Sequence, residues 1–197
     1  MRHIPAAYYE KGEERFGWFM SIGYLLFTKF GALNALVKFA ASDIRKSNAK
    51  NILDIGTGVG ELPLRLSADK KLRVYAVDPS EAMVRIAKSR NKNSANVTVV
   101  RGSSRHIPFN RNFDLIISTL SFHHWKHREK ALRYMKEFLG RHGEIWIYEY
   151  NKDRLKAHEK IASAHSMSRR EFIEIAKGSG MKVRIATSGE FIKAVFT

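Results

Sequence analysis

The 197-residue chain has no cysteine and no glutamine. Without a thiol it can form no disulfide, thiolate metal site or iron–sulfur cluster, and no mechanism can run through a cysteine nucleophile. The joint loss of Cys and Gln leans toward a thermophile composition, which the nine asparagines and six methionines oppose. Long apolar runs are also missing. The longest uncharged run in the apolar N-terminal part, Phe16 to Thr28, falls short of the roughly 20 residues that a helix needs to cross a bilayer, so no transmembrane segment is expected. The start, "MRHIPAAYYEKGEERFG", has no apolar core followed by a small-residue cleavage site, so the expected location is cytoplasmic. Acid is scarce: 19 Asp and Glu face 35 Lys and Arg, a formal charge of +16. That excess suits an anionic partner or surface, or simply a soluble, solvated exterior.

What is present is a regular alternation. From residue 51 onward, "NILDI", "LRVYAVD", "NVTVV", "FDLIIS" and "EIWIYEY" read as strands. Between them lie helical stretches. "SEAMVRIAKSR" follows a Ser80 cap, "REKALRYMKEFLG" carries Ala131, Met135, Phe138 and Leu139 on one stripe up to Gly140, and "SRREFIEIAKGSG" has the Ser168–Glu171 capping-box spacing. The expected fold is α/β: a doubly wound, mainly parallel sheet with helices on both faces. "TSGE" between the last two strands is too short for a parallel crossover, so the final strand should run antiparallel. Residues 1–45, with the apolar stretch "FGWFMSIGYLLFTKFGALNALVKFAA", differ from the domain at 46–197. They read as a helical lid or substrate cover over the ligand edge, or as a segment resting on an anionic membrane.

The densest signal is "DIGTGVGE" after the first strand. In an open parallel sheet, ligands bind at the carboxyl ends of the strands, where glycines let them approach the backbone. A dinucleotide site asks for G-x-G-x-x-G, with a pyrophosphate at the helix start. Here the spacing is G-x-G-x-G, Glu61 follows at the helix start, and Asp54 precedes the turn. Two carboxylates would repel a pyrophosphate and attract a cation. Asp78 ends the second strand, where an acid can take both hydroxyls of a ribose. A ribose joined to a cationic centre, without pyrophosphate, describes S-adenosylmethionine.

With these residues in view, the chain resembles the Rossmann-like, seven-stranded S-adenosylmethionine-dependent methyltransferases, in style the ubiquinone/menaquinone C-methyltransferase group. "LDIGTGVG", "VYAVDPSEAMVRIAK", "RGSSRHIPF" and "FDLIISTLSFHHW" match the family's motifs in order. The resemblance implies a methyltransferase that releases S-adenosylhomocysteine. It also implies cofactor contacts from Asp54, Gly56, Thr57, Gly58, Gly60, Asp78, Pro79, Met83, Ser103, Ser104 and Ser118. Ser103 stands where the family usually carries an acid for the adenine amine, and Arg105 and His106 are basic where acids are usual.

The histidines after the fourth strand bear on the chemistry. His123 is the candidate catalytic residue, as a general base or as packing against the cofactor. His123, His124 and His127 also have a metal-like spacing, but with no obvious carboxylate partner to complete a ligand set, no metal is expected. The acceptor expected is a small molecule, lipophilic or anionic. RNA on the basic surface and a non-catalytic S-adenosylmethionine-binding protein are the alternatives, and a nicotinamide-dependent dehydrogenase is disfavoured by the glycine spacing. Absence of cysteine excludes pyrimidine C5 methylation through a cysteine adduct. "STLSFHHW" also lacks the Asn/Asp-Pro-Pro-Tyr/Phe motif used on exocyclic base amines.

Overall fold

The computed structural model describes residues 32–154 and 166–197. Most of the expected lid and of the charged insert "NKDRLKAHEKIASAHS" lies outside the described residues. Within them the chain runs α1 (Ala32–Lys46), β1 (Asn51–Ile55), α2 (Glu61–Leu66), β2 (Arg73–Asp78), α3 (Glu81–Arg90), β3 (Val97–Arg101) and β4 (Phe113–Thr119). A 3-10 turn at Phe122–His124 leads to α4 (Arg128–Lys136) and β5 (Leu139–Asn151), and a second at Lys152–Arg154 follows. Then come β6 (Ser166–Met167), α5 (Arg169–Ser179), β7 (Val183–Ser188) and β8 (Phe191–Phe196).

The strands form one sheet in the order β3-β2-β1-β4-β5-β8-β7. The first five run parallel, and β8 lies antiparallel to both β5 and β7, as the short connection through Gly189 requires. An eighth strand was not legible in the sequence: β6 contributes only Ser166 and Met167, paired with Tyr150 and Asn151 of β5.

Strand alternation sorts the core into two faces. On one, Ile52, Val74, Leu115 and Ile117 pack under α1 and α2, while Ala76 and Val99 take Val84 and Ala87 of α3. On the other, Leu53, Val77, Ile116, Ile145 and Ile147 pack under α4 and α5. Helix α1 buries Leu36, Val37, Ala40, Ala41 and Ile44 in the first face. Each large apolar side chain buried this way is worth roughly 1.5–3 kcal/mol. Tyr148 donates to Asp43 Oδ2 at 2.8 Å and Lys193 Nζ donates to the same oxygen at 2.9 Å, tying α1 to β5 and β8. The end of the apolar N-terminal stretch is thus a core helix.

One local expectation changes. Helix α4 ends at Lys136, and Gly140 sits inside β5 instead of closing the helix. The cause is tertiary pairing: Leu139 pairs with Phe113, and the register shifts before Leu115 meets Glu144. Gly143 makes the shift feasible, because a Cβ there would stand 2.8 Å from Phe113 O. The helix after the glycine turn is short, ending at Leu66.

Candidate functional site

The carboxyl ends of β1 to β4 carry the residues singled out in the sequence. The glycine turn leaves β1 with Gly56, Gly58 and Gly60 all at positive φ, of 74°, 54° and 75°. Gly56 and Thr57 donate their N–H groups to Val77 O at 2.9 and 3.0 Å, latching the turn to the end of β2. Gly58 N–H donates to Asp78 Oδ2 at 2.8 Å, and Ser80 N–H to Asp78 Oδ1 at 2.9 Å. One carboxylate therefore holds the turn and the start of α3. With about four lone-pair sites, it keeps capacity for a diol.

Two of the glycines are bare for reasons internal to the protein. A Cβ on Gly56 would lie 1.9 Å from Ser121 Oγ, and one on Gly60 would lie 2.9 Å from Ala87 Cβ and 2.8 Å from Asn91 Nδ2. The turn is thus wedged between the segment after β4 and the end of α3. Arg90 Nη1 donates to Val59 O at 3.1 Å and Asn91 Nδ2 to Gly60 O at 3.2 Å. Glu61 is engaged as well. It pairs with Arg65 at 2.8 Å and with Arg90, so its charge is not aimed at a ligand as the sequence suggested.

Asp54 behaves differently. It is 1 % exposed, on the same sheet face as Asp78, and neither of its oxygens has a hydrogen-bond partner among the described residues. Burial pushes its carboxyl up to about 7, with Asp78's charge adding to the rise. The nearby Thr57 hydroxyl opposes it, although no hydrogen bond of good geometry joins them. An unpaired buried carboxyl costs several kcal/mol when ionised, so the ionised form of Asp54 calls for a positive partner that the described residues do not supply. The Thr57 and Ser118 hydroxyls are also buried without partners among the described residues.

Around this centre, Pro79 follows Asp78 and accepts from Arg101 Nε at 3.1 Å. Met83 is buried in the first turn of α3, its N–H donating to Ser80 Oγ at 3.4 Å. Gly102 N–H donates to Asp78 O at 3.2 Å, which brings buried Ser103 and Ser104 beside Asp78. Ser103 closes a small bridge with His106, and its Oγ accepts Arg105 N–H at 3.2 Å. Ser118 belongs to the opposite face of the sheet from Asp54, the face that also carries Glu149.

His123 enters from the 3-10 turn after β4. Leu120, at φ 49°, reverses the chain there, and Ser121 Oγ accepts from Trp125 Nε1 at 3.1 Å. His123 Nδ1 lies 2.8 Å from Glu149 Oε2, and its Nε2 lies 2.9 Å from His124 Nε2. Sequence reasoning missed Glu149. A usable signal existed, since an acid within the apolar strand "EIWIYEY" must be paired if buried. Among the described residues no group of three or more His, Cys, Asp or Glu could hold a metal ion, and no helix is long and apolar enough to cross a membrane.

Comparison with known proteins agrees with this geometry. Residues 52–143 match the model of a family described as a methyltransferase domain. A curated relative, an uncharacterized methyltransferase of Staphylococcus carnosus, is 38% identical over 100 residues, covering 50% of this chain and 46% of that protein. The ubiquinone/menaquinone biosynthesis C-methyltransferase of Geotalea uraniireducens is 27% identical over 132 residues, covering 64% of this chain and 56% of that protein. The chain thus spans about half the length of these relatives. Among solved structures, a putative S-adenosyl-L-methionine-dependent methyltransferase from Methanococcus maripaludis superposes with a TM-score of 0.79 at 21% identity, covering 94% of both chains.

Proposed function

We propose that the chain is a Rossmann-like, S-adenosylmethionine-dependent methyltransferase that transfers a methyl group to a small-molecule acceptor. This reading is supported by the match of residues 52–143 to a methyltransferase-domain model and by the likeness to methyltransferase relatives and folds. The observation that carries this reading is the buried Asp54 carboxyl, without a hydrogen-bond partner among the described residues, beside the glycine turn and Asp78. That combination fits a ribose joined to a positive amino acid and sulfonium, and it does not fit a pyrophosphate. When bound, the cofactor supplies an electrophilic methyl group. The residues of the chain bind and orient it. Asp78 takes the ribose hydroxyls, and Asp54 takes the ammonium. The backbone of Gly56, Thr57, Gly58 and Gly60 lines the methionine arm. Pro79, Met83, Ser103 and Ser104 surround the adenine, Ser118 borders the methyl side, and His123 is the candidate base.

Residues 1–31 are proposed to cover this edge, either as a lid or by meeting an anionic membrane with their apolar stretch. Titration calorimetry with S-adenosylmethionine, S-adenosylhomocysteine and NAD tests the cofactor reading. Binding of the first two without NAD supports it, and the reverse defeats it. The charge of +16 supports a second reading, an RNA acceptor. A mass-spectrometric search of extract for methylated small molecules and methylated RNA separates the two.

A further inference from the structure

Glu149 has a side chain with no exposure, yet it directs both oxygens at one residue. Oε2 meets His123 Nδ1 at 2.8 Å, and Oε1 accepts the His123 backbone N–H at 3.2 Å. On the other side of the ring, His123 Nε2 lies 2.9 Å from His124 Nε2, with ring centroids 3.9 Å apart. Two ring nitrogens at that distance need one proton between them. In the neutral pair, His123 therefore keeps its proton on Nδ1, facing Glu149, and His124 keeps its own on Nε2. Arg128, from the start of α4, holds the main chain by donating through Nε to Phe122 O at 3.1 Å and through its terminal nitrogen to His123 O. The segment that carries the pair touches the glycine turn, because Ser121, two residues before His123, fills the space above Gly56.

A buried carboxylate without a neutralising partner is costly, and a neutral imidazole offsets only part of that cost. The arrangement favours a histidine pair that gains a proton. We infer that His123 and His124 act as one base, with Glu149 as the residue that positions His123 and stabilises its charged form. The acceptor is then a protic nucleophile, one whose attacking atom releases a proton as it is methylated. This rests on the methyl-transfer reading above. In the step, the acceptor X–H bond breaks and its proton passes to the imidazole pair. The electron pair left on X forms the bond to carbon. The carbon–sulfur bond breaks with its electrons left on sulfur, so one positive charge disappears from sulfur as another appears on the pair facing Glu149. A tertiary amine or thioether has no proton to lose and would leave this arrangement without a task.

Glu149→Gln keeps the size and an acceptor for Nδ1 but removes the charge. In the full-length chain without ligand, nitrogen-15 NMR should show the His123 ring midpoint falling by about one pH unit or more. Binding of S-adenosylhomocysteine should be unchanged. Probe acceptors are phenol and aniline against dimethylaniline and dimethyl sulfide, with methyl transfer read by mass spectrometry. Turnover is expected on the first two alone, with kcat in Glu149→Gln lowered about tenfold or more and its acid limb moved down. A His123 midpoint unmoved by the substitution, or transfer to dimethylaniline or dimethyl sulfide at a rate that Glu149→Gln leaves intact, overturns the inference. If none of the four is methylated, the ring titration alone decides. If Glu149→Gln fails to fold, His124→Phe takes its place, since it removes the Nε2 partner, and an unmoved His123 midpoint there counts against the pair. Failure of the parent itself to bind S-adenosylhomocysteine would instead defeat the cofactor reading.

Discussion

If Asp54 receives the cofactor's ammonium as proposed, its raised carboxyl makes binding a proton-linked event. Burial holds it at about 7, against an ordinary 3.8. A cation placed against it would favour the ionised form and drive the proton off. At pH 6 the ligand-free protein carries about 0.9 proton on this group and at pH 8 about 0.1, so release on binding should fall from near one to near zero across that interval. Calorimetry with S-adenosylhomocysteine in buffers of different ionisation enthalpy reads the number directly, as the slope of observed enthalpy against buffer enthalpy. Asp54→Asn, compared at each pH, should lose the pH-6 release and bind more weakly. The same shift governs stability. Because the folded carboxyl is raised, the unfolded chain gives up its proton first. The contribution is then most favourable below 3.8 and is lost as pH rises to about 7. At about 1.4 kcal/mol per unit, the ligand-free parent should lose about 4 kcal/mol relative to Asp54→Asn between pH 4 and pH 8. Equal slopes for parent and variant at pH 6, with parallel stability curves, would refute the reasoning.

Gly56→Ala puts a methyl group 1.9 Å from Ser121 Oγ at a φ of 74°. Strain and overlap together should cost roughly 3 kcal/mol in denaturant unfolding, and a loss under 1 kcal/mol would mean that Ser121 simply turns away. Ser168→Ala removes the capping box in which Ser168 Oγ accepts Glu171 N–H at 3.1 Å. About 1 kcal/mol and a drop of about 2–4 °C in Tm are expected, with cofactor binding untouched. Ser103→Asp retains an acceptor for Arg105 N–H beside Asp78 and adds a charge for the adenine amine. It should tighten S-adenosylhomocysteine binding about fivefold, and weaker binding would move Ser103 out of the adenine site.

The alternation of strand and helix, the glycine turn, the acid closing β2, the Ser168–Glu171 cap and the antiparallel last strand were all readable along the chain. Each depends on residues within a few positions of one another, where periodicity, capping and loop length are local physics. What the tertiary structure alone decided lies at long separation. Gly140 looked like a helix stop until Leu139 found Phe113 as a strand partner. Glu61 looked like part of the ligand field until folding brought Arg90, 29 residues away, to its carboxylate. Gly56 and Gly60 looked bare for a ligand, yet Ser121 and Ala87 claim the space above them. Asp54 could be picked out by its place in the motif, but its raised pKa depends on how completely the fold excludes water from it. Glu149 shows the limit most clearly. Its partner His123 is 26 residues away in the turn after β4, and no pattern within either segment records the 2.8 Å contact that makes this histidine a candidate base.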